Sequence, residues 1–267
     1  MSVAQTATTT TTYLVLATPR SGSTLLGQAL NATDLAGDPR EHFGHKMGFW
    51  ARKWGTEGIR PFVARLMAER STDNGVFGSK LLYAHLLHLE RVARREPEFA
   101  EMPLGEILRE LFPDVRYFRI TRDDTVRQAI SYWKAKETGV WGQEEARAGR
   151  TGQGRRKIVK GSRRTGRDPV YDYDGIAALL AEIEQGEAGI ARFFAESGIE
   201  PMHVVYERFV RDYEGTTRRM LTHLGVEPPP DFEIGRPRTV KLADDTSEAW
   251  AERFRAERAE RAAAGVH

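Results

Sequence analysis

An α/β fold, with a central and mainly parallel β-sheet flanked by helices, follows from how this sequence alternates. Apolar runs short enough to be buried strands recur between segments with helical spacing. The first, Y-L-V-L-A at residues 13–17, breaks at Pro19 and Gly22 and passes into a helical pattern around Leu25 and Leu26. A strand, a tight turn and a helix start form the unit from which parallel sheets grow, and the unit returns after residue 115.

The remaining elements follow in order. V-F-G-S-K-L-L at residues 76–82 reads as the second strand, with a helix from Tyr83. Leu104 to Phe112 has helical spacing and stops at Pro113, which cannot continue a helix. Residues 115–120 are the third strand. Asp123 then caps an amphipathic helix to about Thr138, with Val126, Ala129, Ile130 and Trp133 along one side. A long helix covers residues 174–197 and a fourth strand residues 202–206. A helix then runs through Gly225 and ends before the proline run at 228–230, and Ser247 caps a last helix to Ala262. No internal repeat is present.

Length and composition predict one domain over residues 13–262, preceded by a Thr-rich, low-complexity lead-in at 1–12 that is expected to be disordered. Residues 147–167 break the pattern, with nine Lys/Arg, five Gly and no acidic residue. Such a segment cannot bury enough apolar surface to order itself, so a mobile loop or lid is expected there. Zero cysteines exclude disulfides, Cys-ligated zinc and thiol catalysis, and fit a reducing cytoplasm. No basic, apolar leader and no membrane-length apolar run occurs, so a cytoplasmic protein with no membrane partner is expected. The net charge of +2 names no partner. Only the basic segment speaks for a nucleic-acid-binding module, and it lacks interleaved aromatics, so no nucleic acid is expected.

The loop after the first strand, T-P-R-S-G-S-T, has the composition of an anion hole. Its backbone N–H groups can point inward, the following helix adds positive potential, and Arg20, Ser21, Gly22, Ser23 and Thr24 supply charge, hydroxyls and a flexible backbone. It lacks the Gly-Lys-Ser/Thr of nucleotide-triphosphate loops, which argues against a phosphotransferase of the P-loop kinase type. After the third strand, Arg122 stands where α/β proteins bind ligands, and Ser131 lies more than two turns into the next helix. An Arg and a hydroxyl converging on one dianion suit a phosphate monoester. A local ion pair with an incidental serine is the plainer alternative.

Together the two motifs, P-R-S-G-S-T-L-L and R-D-x-x-x-x-Q-A-x-S-x-W, resemble the 5′-phosphosulfate loop and the 3′-phosphate motif of sulfotransferases that use 3′-phosphoadenosine-5′-phosphosulfate (PAPS). The resemblance is closest to the trehalose 2-sulfotransferase type. A-G-D-P-x-E at 36–41, G-x-K-L at 78–81, E-P-x-x-V-x-Y at 200–206 and a segment ending at Trp250 follow that type in order. It extends from about residue 13 to 258. The basic insert and Leu242, where the relatives tend to carry a polar Gln, depart from it.

The resemblance implies a P-loop-like sulfotransferase fold, PAPS as donor, 3′-phosphoadenosine-5′-phosphate (PAP) as product, no metal and a homodimer. The acceptor it implies is a small carbohydrate, trehalose first, with another glycoside or a secondary-metabolite hydroxyl as the alternative. Arg122 and Ser131 fall on the family's 3′-phosphate ligands. An alcohol is a poor nucleophile at neutral pH and needs a base, for which Glu41 and His42 are the candidates. Glu41 matches the general-base carboxylate of the trehalose type. Asp38 and Arg40, with Glu41, would contact the acceptor's hydroxyls. Lys80 would steady the bridging oxygen, or else form a structural ion pair. Lys241, with Arg236 and Arg238, would close over the nucleotide phosphates. Trp133 and Trp141 could stack on a ring, although core packing suits Trp133 better. His85 and His88 lack an evident third ligand for a metal.

Overall fold

The computed structural model describes residues 9–141, 168–229, 231–235 and 245–265. The basic insert at 147–167, Lys241, Leu242, Arg236 and Arg238 lie outside the described residues. The chain divides into two compact units, residues 1–121 with 186–235, and residues 122–185 with 236–267.

The first unit contains the sheet. Strands β1 (Thr11–Ala17), β2 (Val76–Leu82), β3 (Val115–Thr121) and β4 (Met202–Val205) lie in the order β2-β1-β3-β4, and every pairing is parallel. The continuous apolar run of β1 is explained by burial on both faces. Leu14 and Leu16 enter one core, and Tyr13, Val15 and Ala17 enter the other.

Helices α3 (Ile59–Arg70), α4 (Tyr83–Ala93) and α5 (Leu104–Leu111), with the C-terminal half of α7 (Tyr173–Ser197), contribute to the first core. Helices α1 (Ser23–Asn31), α8 (Tyr206–Arg211) and α9 (Tyr213–His223) contribute to the second. From β1 the chain passes to β2 on one side and then to β3 on the other, so the strand order reverses at β1. Open α/β sheets bind ligands at the carboxyl ends of strands beside such a reversal. The loop of small residues stands there.

Several boundaries differ from the sequence reading. Strand β1 begins at Thr11, inside the stretch expected to be a disordered lead-in. Thr12 is fully buried and its hydroxyl donates to the Pro113 carbonyl at 2.7 Å. Helices α2 (Met47–Trp54) and α3 fill a stretch for which no element was foreseen. The helix expected to run to Gly225 is two helices, broken where the Asp212 carboxylate accepts from the Gly215 N–H at 3.1 Å.

The second unit contains α6 (Thr125–Thr138), the N-terminal half of α7 and α10 (Asp245–Ala263) around Ile130, Ile176, Leu180, Ile183 and Phe254. The cap of α6 is Asp124, one residue past the expected Asp123, and its carboxylate accepts from the Arg127 N–H at 3.0 Å. Helix α10 already includes Asp245 and Thr246, ahead of the expected cap at Ser247. Trp133 packs against this core and donates its Nε1–H to the Val170 carbonyl at 2.8 Å.

Candidate active site

The loop between β1 and α1 is held in a conformation that presents donors. Arg20 and Gly22 both take positive φ, 63° and 94°, the alternation that turns successive N–H groups to one side. No side chain caps α1, whose N-cap is Gly22, so none of its first N–H groups is taken up by a side-chain cap. Ser21 is fully buried and its Oγ has no hydrogen-bond partner. A buried hydroxyl in that state is costly unless a ligand completes it. An unpartnered Ser21 Oγ at a turned loop and an uncapped helix start fit a bound phosphate or sulfate group. Ser23 is buried and Thr24 is exposed.

Thr24 leads to the second group of predicted residues. Lys80 lies inside β2, 8% exposed, and its Nζ donates to Thr24 Oγ1 at 3.2 Å and to Glu41 Oε1 at 2.8 Å. Register explains the meeting. β2 is one of the two edge strands, and the Asp38–His42 loop is stitched along it by an isolated bridge between Arg40 and Ser79 and by the Lys80 N–H to Arg40 carbonyl bond of 2.9 Å. Glu41 is thereby set beside the side chain of Lys80. Burial alone would raise the Glu41 carboxyl, but the Lys80 ammonium, aided by His85 and His45, holds it below the usual carboxylate range.

The other residues of this loop are arranged differently. His42 stacks on Phe77 with ring centroids 6.0 Å apart, and its Nε2 pairs with the Asp38 carbonyl at 3.3 Å. Burial outweighs that hydrogen bond and pushes its pKa down to about 4. Asp38 and Arg40 pair with each other at 2.6 Å.

Three residues beside these were not foreseen in the sequence. Glu187, in mid-α7, accepts from the Thr18 hydroxyl at 2.8 Å and pairs with Arg119 at 3.0 Å, fixing the start of the anion loop. Tyr206, at the start of α8, lies against Gly22. His85 is suggested by the sequence only as a metal ligand. It faces Glu41 and Lys80, and its Nδ1 is buried without a partner. Among the described residues, no group of three or more His, Cys, Asp or Glu stands where it could hold a metal ion.

Arg122 and Ser131 belong to the second unit. Arg122 precedes α6 by three residues, Ser131 lies on that helix, and both are half-buried. Trp141 is 49% exposed and tilts against Tyr132.

A parallel sheet whose switch-point loop leads into a helix with no side-chain cap, beside a buried and uncompleted hydroxyl, has the form of the phosphate-loop class of α/β proteins. The chain belongs to the Stf0 sulphotransferase family, whose sequence model matches residues 12–257. Its fold is accordingly the P-loop-like sulfotransferase fold that the motifs implied. It is similar to the trehalose 2-sulfotransferases of Mycobacterium tuberculosis and Mycolicibacterium smegmatis. Each is 29% identical over 92% of this chain and 94% of the relative. Among solved structures, the sulfotransferase domain from the Synechococcus PCC 7002 olefin synthase aligns with a TM-score of 0.40 and 15% identity, covering 93% of this chain and 88% of that one. Among the described residues, no helix is long and apolar enough to cross a membrane.

Proposed function

We propose that this protein moves the sulfuryl group of PAPS to a hydroxyl of a small carbohydrate, with the 2-hydroxyl of trehalose as the first candidate. The observation that carries the reading is the Lys80 ammonium, which bridges Thr24 of the anion loop and the Glu41 carboxylate. A donor-side group and a base that a hydroxyl could reach are thus joined by one cation. Membership of the family, and the trehalose acceptor named for two relatives, support the donor and the acceptor class.

The donor, when bound, supplies an SO₃ unit on a phosphate leaving group. The residues of the chain do the rest. Arg20, Ser21, Gly22, Ser23 and Thr24 hold the 5′-phosphate side with backbone N–H groups, a guanidinium and hydroxyls. Ser21 Oγ gains the partner it lacks. Arg122 and Ser131 hold the 3′-phosphate, and Lys241 adds charge from the C-terminal segment.

Glu41 Oε1 takes the acceptor's proton as the acceptor oxygen closes on sulfur. Asp38 and Arg40 orient the acceptor's other hydroxyls. Lys80 Nζ steadies the oxygen that carries the negative charge away. Glu41 suits the role of base better than His42, whose ring is spent on Phe77 and on the Asp38 carbonyl. The working form is proposed to be a cytoplasmic homodimer.

Calorimetric titration with PAP, with AMP as control, tests the donor site in wild type and Arg122→Ala. Micromolar PAP binding that is weak for AMP and lost in the variant is the expected result, and an acceptor screen with labelled PAPS, trehalose first, follows. No preference for PAP over AMP would overturn the reading.

A further inference from the structure

Lys80 and Glu41 cannot both do their proposed work while they are bonded to each other. A carboxylate accepting an ammonium N–H at 2.8 Å is a weakened base, and the oxygen proposed to take the proton, Oε1, is the one the ammonium occupies. The same ammonium also bonds Thr24 at the mouth of the anion loop, so it already faces the donor side. Lys80 is 10% exposed as a side chain and Glu41 41%, so the cation is enclosed while the carboxylate opens to solvent.

We propose that Lys80 couples donor occupancy to the base: the donor's bridging oxygen draws the ammonium off Glu41, and the freed carboxylate then accepts the acceptor's proton. This inference rests on the donor reading above and adds an order to it, donor before acceptor. In the step itself the acceptor oxygen–sulfur bond forms and the sulfur–oxygen bond to the phosphate breaks. The bonding pair leaves on the phosphate oxygen beside Lys80, and the acceptor's proton ends on Glu41. Lys80 keeps its own proton throughout.

The electrostatics of the cluster fix the sign. Three cationic or potentially cationic groups face Glu41: Lys80 from β2, His85 from α4 and His45 from its own loop. Burial works against all of them by raising the carboxyl. Withdrawing Lys80 removes the largest lowering influence and leaves burial, so the carboxyl must rise and become the better base. The unliganded enzyme thus holds a masked base, and water is a poor acceptor until donor and acceptor are both seated.

The test is a double-mutant cycle on PAP affinity, measured by calorimetry on the full chain for wild type, Glu41→Gln, Lys80→Met and the double variant. Glu41→Gln removes the competitor for Lys80 and should tighten PAP by about three- to fivefold. Lys80→Met should weaken it, and in that background Glu41→Gln should do nothing. An equal gain in both backgrounds would mean that the Glu41 charge acts on the nucleotide directly, and no gain would mean that the pair does not compete. Either result overturns the inference.

A carboxyl ¹³C titration of Glu41 gives an independent readout. PAP should raise its midpoint by about one pH unit or more. Lys80→Met should raise it without PAP and leave PAP little further effect. A PAP-induced rise of full size in Lys80→Met would assign the shift to nucleotide charge and overturn the coupling. Failure of wild type to bind PAP at all would instead overturn the donor reading on which the inference rests.

Discussion

Tyr206 stands against Gly22 so closely that a Cβ built on the glycine would lie 2.3 Å from the ring's Cδ2. The first residue after β4 therefore closes over the N-cap of α1, and only a residue without a side chain fits beneath it. Gly22 also takes φ 94°, which costs an L-residue about 1–2 kcal/mol. Gly22→Ala should lower stability by at least that amount in urea denaturation and abolish PAP binding. Adding Tyr206→Ala should relieve the clash but not the backbone strain, so part of the loss returns. Full recovery in the double variant would show that φ is not a constraint at this turn.

Glu187 fixes the other end of the same loop. Its carboxylate accepts from Thr18, and it pairs with Arg119, whose side chain is only 25% exposed. Glu187→Ala removes the carboxylate that pairs with Arg119 and accepts from Thr18, at a cost of about 1–3 kcal/mol. PAP should bind more weakly as the loop loosens. Glu187→Gln keeps an acceptor for Thr18 and should retain more of the binding than of the stability. Equal losses of both in the two variants would remove the loop-positioning role.

The pH dependence separates Glu41 from His42. The pKa of His42 is pushed from the ordinary 6.5 to about 4, chiefly by burial. The folded state therefore binds fewer protons than the unfolded one between those values, and stability falls as pH falls from 6.5 to 4. His42→Gln should flatten that slope, by about 3 kcal/mol over the interval. Glu41 titrates below the usual carboxylate range in the unliganded protein, and as the base it should be indispensable: Glu41→Gln should abolish activity at every pH, while His42→Gln leaves the acid limb in place. An acid limb near pH 4 that disappears in His42→Gln, with activity surviving Glu41→Gln, would transfer the base to His42.

What could be read in the sequence was local. The strands and the anion loop are signalled by apolar runs and turn residues, whereas the position of Lys80 near the end of a strand leaves it open to the bridging oxygen or to an ion pair and does not name Glu41. Helix α2 is short and holds one buried residue, Met47, and Gly55 and Gly58 separate it from α3; α3 does carry a helical period at Ile59, Phe62, Val63 and Leu66, which Pro61 near its start obscures. Glu187 sits among other acidic residues of α7 and reads as part of a solvated face, because only the sheet beneath it reveals Arg119 and Thr18. Tyr206 looked like the end of a strand, since its contact with Gly22 joins positions far apart in the chain. The Asp123–Asp124 choice was beyond composition, as either carboxylate caps equally well until the backbone fixes which one reaches the free N–H.

That last choice gives a prediction for the helix that carries Ser131. The Asp124 carboxylate accepts from the Arg127 N–H at 3.0 Å and from Arg255 at 2.8 Å, so one side chain caps α6 and ties it to α10. Asp124→Ala removes the cap, at a cost of about 1 kcal/mol, and leaves Arg255 without this partner. Asp124→Asn keeps an acceptor for the N–H and loses only the ion pairs with Arg255 and the Arg127 side chain, whose half-exposed guanidiniums make them worth less. Denaturation midpoints should therefore fall in the order wild type, Asp124→Asn, Asp124→Ala. PAP binding should follow the same order, because fraying the first turn of α6 loosens the segment between Arg122 and Ser131. If Asp124→Asn proved as damaging as Asp124→Ala, the link to α10 rather than the cap would be what holds this helix start.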